Sequence, residues 1–167
     1  VVNGVIEWTM SRDEPYQFLR LGRALERIDM TGRVLAVHHD AFWPTAGPVA
    51  ALRASGALSA FLSTSAAQTG DEVRRFLVTH SGFPRAMLAC AIDAEEAVVA
   101  LERTGAQSGA TLGREAGRLR SLLAYAVDTS PDQVDRLASQ ARFAATHVAD
   151  EVSRAFFRQH GTITWSH

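Results

Sequence analysis

The chain has 167 residues, carries a formal net charge of −1, and is 47% hydrophobic against 21% charged. All 17 of its Lys+Arg positions are arginine, which excludes a Schiff-base lysine for PLP or class I aldolase chemistry, a Walker A lysine and a kinase-type nucleotide lysine. The charge balance argues against a dedicated nucleic-acid binder, the single Cys90 permits neither an internal disulfide nor a CxxC metal site, and no apolar run reaches membrane-spanning length.

The length fits one domain, or half of a larger one, able to bury about 70% of its unfolded surface. Residues 1–10 read as an N-terminal extension, 11–160 as a helical domain and 161–167 as a tail. The opening Val1-Val2-Asn3-Gly4 has neither an initiator Met nor the features of a signal peptide, and reads as a cut inside a longer polypeptide. The lone cysteine fits a reducing compartment. An arginine-only, alanine-rich composition also fits a GC-rich coding background.

Helical signals follow one another along the chain. Ser11-Arg12-Asp13-Glu14 has the form of a capping box, with Pro15 tolerable in the first turn. Phe18, Leu21, Leu25, Ile28, Gly32 and Leu35 then recur at helical spacing over roughly 25 residues. Pro44, Gly47 and Pro48 mark a connection. A second helix is predicted from about Pro48 to Ser63, weakened by Gly56. Thr69-Gly70-Asp71-Glu72 is another capping box, opening a short helix through Phe76 and Leu77. Pro84 is placed to begin the next helix, which runs through Met87, Leu88, Ala91, Ala94, Val98 and Leu101 to Gly105. A small-residue loop from Gly105 to Ala110 precedes a helix through Leu119, Leu122, Leu123 and Ala126. Ser130-Pro131-Asp132-Gln133 starts a long last helix through Val134, Leu137, Ala141, Val148, Val152 and Phe156. No stretch alternates as a strand should, so the expected fold is an all-α bundle of five or six helices.

The first helix carries the densest charge pattern: Arg20, Arg23, Glu26, Arg27, Asp29 and Arg33. Steps of three and four residues stack Arg20, Arg23 and Arg27 on one flank, and place Glu26 within reach of Arg23. An arginine row of this kind can grip a phosphate or a peptide carboxylate through paired hydrogen bonds. It equally suits an ion-pair network used for packing, and packing is the expectation. His38-His39-Asp40 lacks the upstream His that a metal-dependent phosphohydrolase requires, and reads as a polar helix end. His147 and Glu151, one turn apart, read as a local hydrogen-bonded pair, because no Glu-x-x-His occurs to complete a di-iron set. Cys90 reads as a small core residue. No metal and no cofactor is expected.

The run from Phe18 to Leu35, containing Leu21-Gly22-Arg23-Ala24-Leu25-Glu26-Arg27, resembles the signature helix of the bacterial alpha-E family. That family takes its name from a Glu-Arg pair, matched here by Glu26-Arg27. Phe76-Leu77-Val78 with Phe83-Pro84-Arg85 resembles a second family segment, and Ala155-Phe156-Phe157 a third. The chain departs from the family pattern at Ala86 (Ser), His80 (Asp) and Ala155 (Tyr), which weakens any role for a Ser or Tyr hydroxyl. Family members are usually about twice as long, so the likeness is to their second half.

The resemblance implies a cytoplasmic helical protein that works beside ATP-grasp ligases and transglutaminase-like peptidases in peptide synthesis or modification. It also implies that Arg23, Glu26 and Arg27 form a signature network, with Arg20, Asp29 and Arg85 as neighbours. The leading expectation is a non-catalytic binding or scaffold module whose partners are the ligase, the peptidase, and a peptide or other anion. An N-terminal half or a second copy is a further expected partner; nucleic acid and membrane are not. The alternative is an amide-forming or amide-cleaving enzyme whose site is shared with an N-terminal half. There Arg23 and Arg27 hold the anion, and Glu26 is the base or positions the arginines.

Overall fold

A computed structural model describes residues 10–37, 46–64, 66–67, 69–103, 109–126 and 130–157. These form seven α-helices: α1 (Glu14–Val37), α2 (Gly47–Ala54), α3 (Leu58–Leu62), α4 (Gly70–Thr79), α5 (Met87–Arg103), α6 (Gly109–Ala124) and α7 (Pro131–Val152). A π-helical turn, Ser153–Phe157, continues α7, and no strand occurs among the described residues. The all-α bundle expected from periodicity is the observed one.

Four helices make a ring: α1 packs on α5, α5 on α6, α6 on α7, and α7 back on α1. Helix α4 packs against α7 and α5 at the side of this ring, with α2 against α4. The ring forms because each long helix carries an apolar stripe that must leave water. On α1 the stripe is Leu21, Ala24, Leu25, Ile28 and Leu35, and on α5 it is Met87, Cys90, Ala91, Ala94, Val98 and Leu101. Truncating a fully buried member such as Ile28 to Ala costs about 2–5 kcal/mol. Cys90 lies in this core as expected. Its Sγ donates to the Pro84 carbonyl at 3.4 Å, and burial pushes the thiol up to about 12.

Three local expectations are corrected. The helix predicted over Pro48–Ser63 is two helices, because Gly56 adopts φ +64° and turns the chain between α2 and α3. Pro84 does not open α5. A turn from the Phe83 carbonyl to Ala86 N–H (2.9 Å) intervenes, and the helix starts at Met87. Ser11 lies outside α1, whose first main-chain bond runs from Gln17 N–H to the Asp13 carbonyl. The Thr69 cap is formed as predicted, its Oγ1 accepting from Glu72 N–H at 3.3 Å. Pro131 occupies the first turn of α7.

Arginine–carboxylate pairs tie the helices together. Arg142 of α7 donates to Asp29 of α1 through Nε (3.0 Å) and Nη2 (2.9 Å). The buried Arg74 of α4 reaches Asp135 of α7 at 3.4 Å, and Arg120 of α6 reaches Glu95 of α5 at 3.4 Å. No helix among the described residues is long and apolar enough to cross a membrane.

Candidate functional site

The arginine flank of α1 borders a polar cleft of about 480 Å³ between α1 and α5. Arg20, Arg23 and Arg27 line it as their spacing predicts, joined by Arg12, which precedes α1, by Tyr16 and Gln17 from its first turn and by Asp93 and Glu96 from α5. These eight residues bring four guanidinium groups against two carboxylates. Both carboxylates are engaged by one arginine: Arg20 Nη2 donates to Asp93 at 2.9 Å and to Glu96 at 2.5 Å. Partial burial disfavours the charge on Arg20, but these hydrogen bonds and the two negative charges outweigh it and hold its pKa above the ordinary arginine value. The Arg12 guanidinium stands 5.8 Å from the centre of the Tyr16 ring. In the wall, Gln17 is buried and its Oε1 has no hydrogen-bond partner.

On the other side of Arg27 lies a second, smaller groove of about 270 Å³. Glu26, Arg27, Met30, Thr31 and Val34 of α1 form one wall; Ala54, Ser55 and Arg85 form the other. Arg27 therefore lines both spaces. It is half-buried, Glu26 is exposed, and neither is in an ion pair among the described residues. Of the row expected to serve packing, Arg20 is tied between helices, though not by Glu26. The neutralising carboxylates come from α5, 73 and 76 residues from Arg20 in sequence, and Glu26 lines the second groove.

Arg85, from the Phe83-Pro84-Arg85 segment, is brought beside the Glu-Arg pair. The Thr31 hydroxyl donates to the Arg85 carbonyl at 3.0 Å, and Arg85 Nη1 donates to the Ser55 carbonyl at 3.3 Å. Asp29 faces elsewhere. It holds Arg33 at 2.7 Å and Arg142, and the Arg33 hydrogen bond, seconded by Arg142, keeps its carboxyl below the ordinary value despite some desolvation. Asp29 is thus a strut between α1 and α7 and lines neither space.

The family model described as "Alpha-E: a predicted alpha-helical domain with a conserved ER motif" matches residues 1–157. The chain belongs to the Alpha-E family. The match spans nearly the whole of this Alpha-E chain; of its Glu26-Arg27 pair, Arg27 lines both spaces and Glu26 the second alone. A second Glu-Arg dipeptide, Glu102-Arg103, ends α5 on the surface. No curated protein and no solved structure matches the chain.

The remaining candidates resolve simply. Glu151 pairs with Arg154 at 2.5 Å, while the His147 ring meets Phe143 edge-on at 4.5 Å, so the expected His147–Glu151 bond is replaced on both sides. His38-His39-Asp40 lies outside the described residues. Among the described residues, no three potential metal ligands come together. Sequence reasoning did not reach Gln17, Thr31, Ser55, Asp93 or Glu96. Only the acidic spacing of Asp93 and Glu96 on one face of α5 gave a usable signal.

Proposed function

We propose that this Alpha-E chain is a binding module of a bacterial peptide-synthesis or peptide-modification system, in which an ATP-grasp ligase performs the ATP-dependent chemistry. The cleft between α1 and α5 receives the carboxylate end of a peptide. The observation that carries this reading is Arg27: a half-buried guanidinium outside any ion pair among the described residues, in a cleft where Arg20 already occupies both carboxylates. Gln17 supports a peptide over a bare anion, because its buried Oε1 is an acceptor for a peptide N–H while the arginines take the carboxylate. The transglutaminase-like peptidase is the second expected partner of the system.

Two measurements test it. The full-length protein and the neighbouring ATP-grasp ligase should co-purify, and absence of a complex removes the partnership. A short peptide with a free C-terminal carboxylate should bind the protein, and its C-terminal amide should bind at least about ten-fold more weakly, as loss of a charge-assisted hydrogen bond requires. Arg27→Gln should reduce both forms to the same weak affinity.

One observation favours the catalytic alternative: Glu26 is an exposed carboxylate in an open groove, accessible to a substrate. On that reading Glu26→Gln abolishes amide-forming or amide-cleaving turnover by the intact protein with the melting temperature unchanged. Retained turnover excludes it.

A further inference from the structure

The groove beside Glu26 has a charge arrangement unlike the rest of the molecule. The inter-helix ties elsewhere join guanidinium directly to carboxylate, as at Arg20–Asp93, Arg74–Asp135 and Arg142–Asp29. Here one carboxylate, Glu26, and two guanidinium groups, Arg27 and Arg85, border the same space without closing on one another. Arg85 is held by the two hydrogen bonds already described, which use one of its five N–H donors and leave the others for a ligand. The Ser55 residue is 6% exposed, and its Oγ has no hydrogen-bond partner. It is a hydroxyl donor in a residue of the groove wall. Along the opposite wall Met30, 56% exposed, and Val34 offer apolar surface. The backbone at Gly56 makes room for this arrangement, since a Cβ there would stand 3.2 Å from Arg85 Nη1.

An anionic group, a cationic group and a short apolar body at one place are the features of a zwitterion. We propose that this groove binds a free α-amino acid with an apolar side chain. Its carboxylate lies between Arg27 and Arg85 within reach of the Ser55 hydroxyl, its ammonium on Glu26, and its side chain along Met30 and Val34. The volume, about 270 Å³, lies just below the roughly 300–1,000 Å³ of pockets for drug-sized ligands, as suits a single amino acid. A chain-internal peptide residue has neither charge, and a peptide terminus has only one. The site is separate from the α1–α5 cleft, sharing Arg27 alone.

Calorimetric titration of the full chain with L-leucine, N-acetyl-L-leucine and L-leucinamide tests the proposal. L-leucine binds, and each capped form, lacking one charge, binds at least about ten-fold more weakly. Glu26→Gln weakens L-leucine by a similar factor and leaves N-acetyl-L-leucine unchanged, so the variant loses its preference for the free amine. Because Glu26 is exposed, this variant keeps the wild-type melting temperature, and a thermal melt verifies that. Capped forms binding as well as L-leucine, an unchanged leucine affinity in Glu26→Gln, or no binding at tens of millimolar would each overturn the proposal. None of these outcomes touches the peptide reading of the other cleft, which Glu26 does not line; Arg27, shared by both spaces, is unchanged in every arm.

Discussion

Gly32 offers the sharpest test of how α1 meets its neighbours. A Cβ on Gly32 would lie 2.1 Å from Arg142 Cδ, 2.7 Å from Arg142 Cγ and 3.0 Å from Met87 Cε. The Arg142 stem therefore crosses α1 directly over this residue on its way to Asp29. Replacing a mid-helix glycine by alanine would by itself stabilise by roughly 0.5–1 kcal/mol. Against this stand an overpacking cost of about 1–3 kcal/mol and loss of the half-exposed Asp29–Arg142 pair, worth at most about 1 kcal/mol. Gly32→Ala should thus destabilise by about 2 kcal/mol, a fall of roughly 4–8 °C in melting temperature for a chain this size. Gly22, one helical face away, has nothing within 4 Å of its Cβ position, so Gly22→Ala should be stabilised by the propensity gain alone. Denaturant unfolding of Gly32→Ala, Arg142→Ala and the double variant provides the assay. With the Arg142 stem gone the two nearest clashes are removed, the flexible Met87 methyl can give way, and the alanine becomes nearly neutral, a coupling of roughly 1–3 kcal/mol. Equal cost of Gly32→Ala in both backgrounds, or a gain from it alone, refutes the reasoning.

Two more predictions concern the framework around the site. Gly56→Ala forces a Cβ into a left-handed φ of +64° and should destabilise by about 1–2 kcal/mol in denaturant unfolding, with Gly56→Asn costing less. Asp29 has a folded pKa below its ordinary 3.8, first through Arg33 and then Arg142, so its stabilisation is present above about pH 4 and is lost as pH falls through the lowered value. Asp29→Asn should remove that part of the acid slope, flattening melting temperature against pH below about pH 4. Because the side chain is 39% exposed, the effect stays under roughly 1 kcal/mol. An unchanged acid slope contradicts the assignment.

The sequence made α1 legible because an amphipathic period needs no knowledge of the partner: Leu21, Leu25, Ile28, Gly32 and Leu35 are all buried. The division at Gly56 was less legible, since the apolar pattern continues through Ala57 and Phe61 and does not report a single positive φ. The site was only half legible. Steps of three and four residues put Arg20, Arg23 and Arg27 on one flank, but periodicity cannot say which carboxylate each meets. Arg20 took partners 73 and 76 residues away, and Arg142 crossed to Asp29 over 113. Glu26 lost its expected role for that reason, and Ser55 and Gln17 became notable only once folding had buried them.

The arginine ties of the ring also fix how the molecule meets alkali. A bundle held by lysine pairs begins to lose its cations near pH 10, whereas guanidinium keeps its proton beyond pH 12. Arg20, Arg74, Arg120 and Arg142 therefore hold their carboxylates throughout that range, and the buried Cys90 thiol stays protonated up to about 12. These arginine ties are therefore not lost in moderate base, while on the acid side Asp29 gives up its small contribution. The same choice of cation leaves no side-chain amine anywhere in the sequence. An activated carboxyl group brought against the chain therefore finds no lysine amine to acylate.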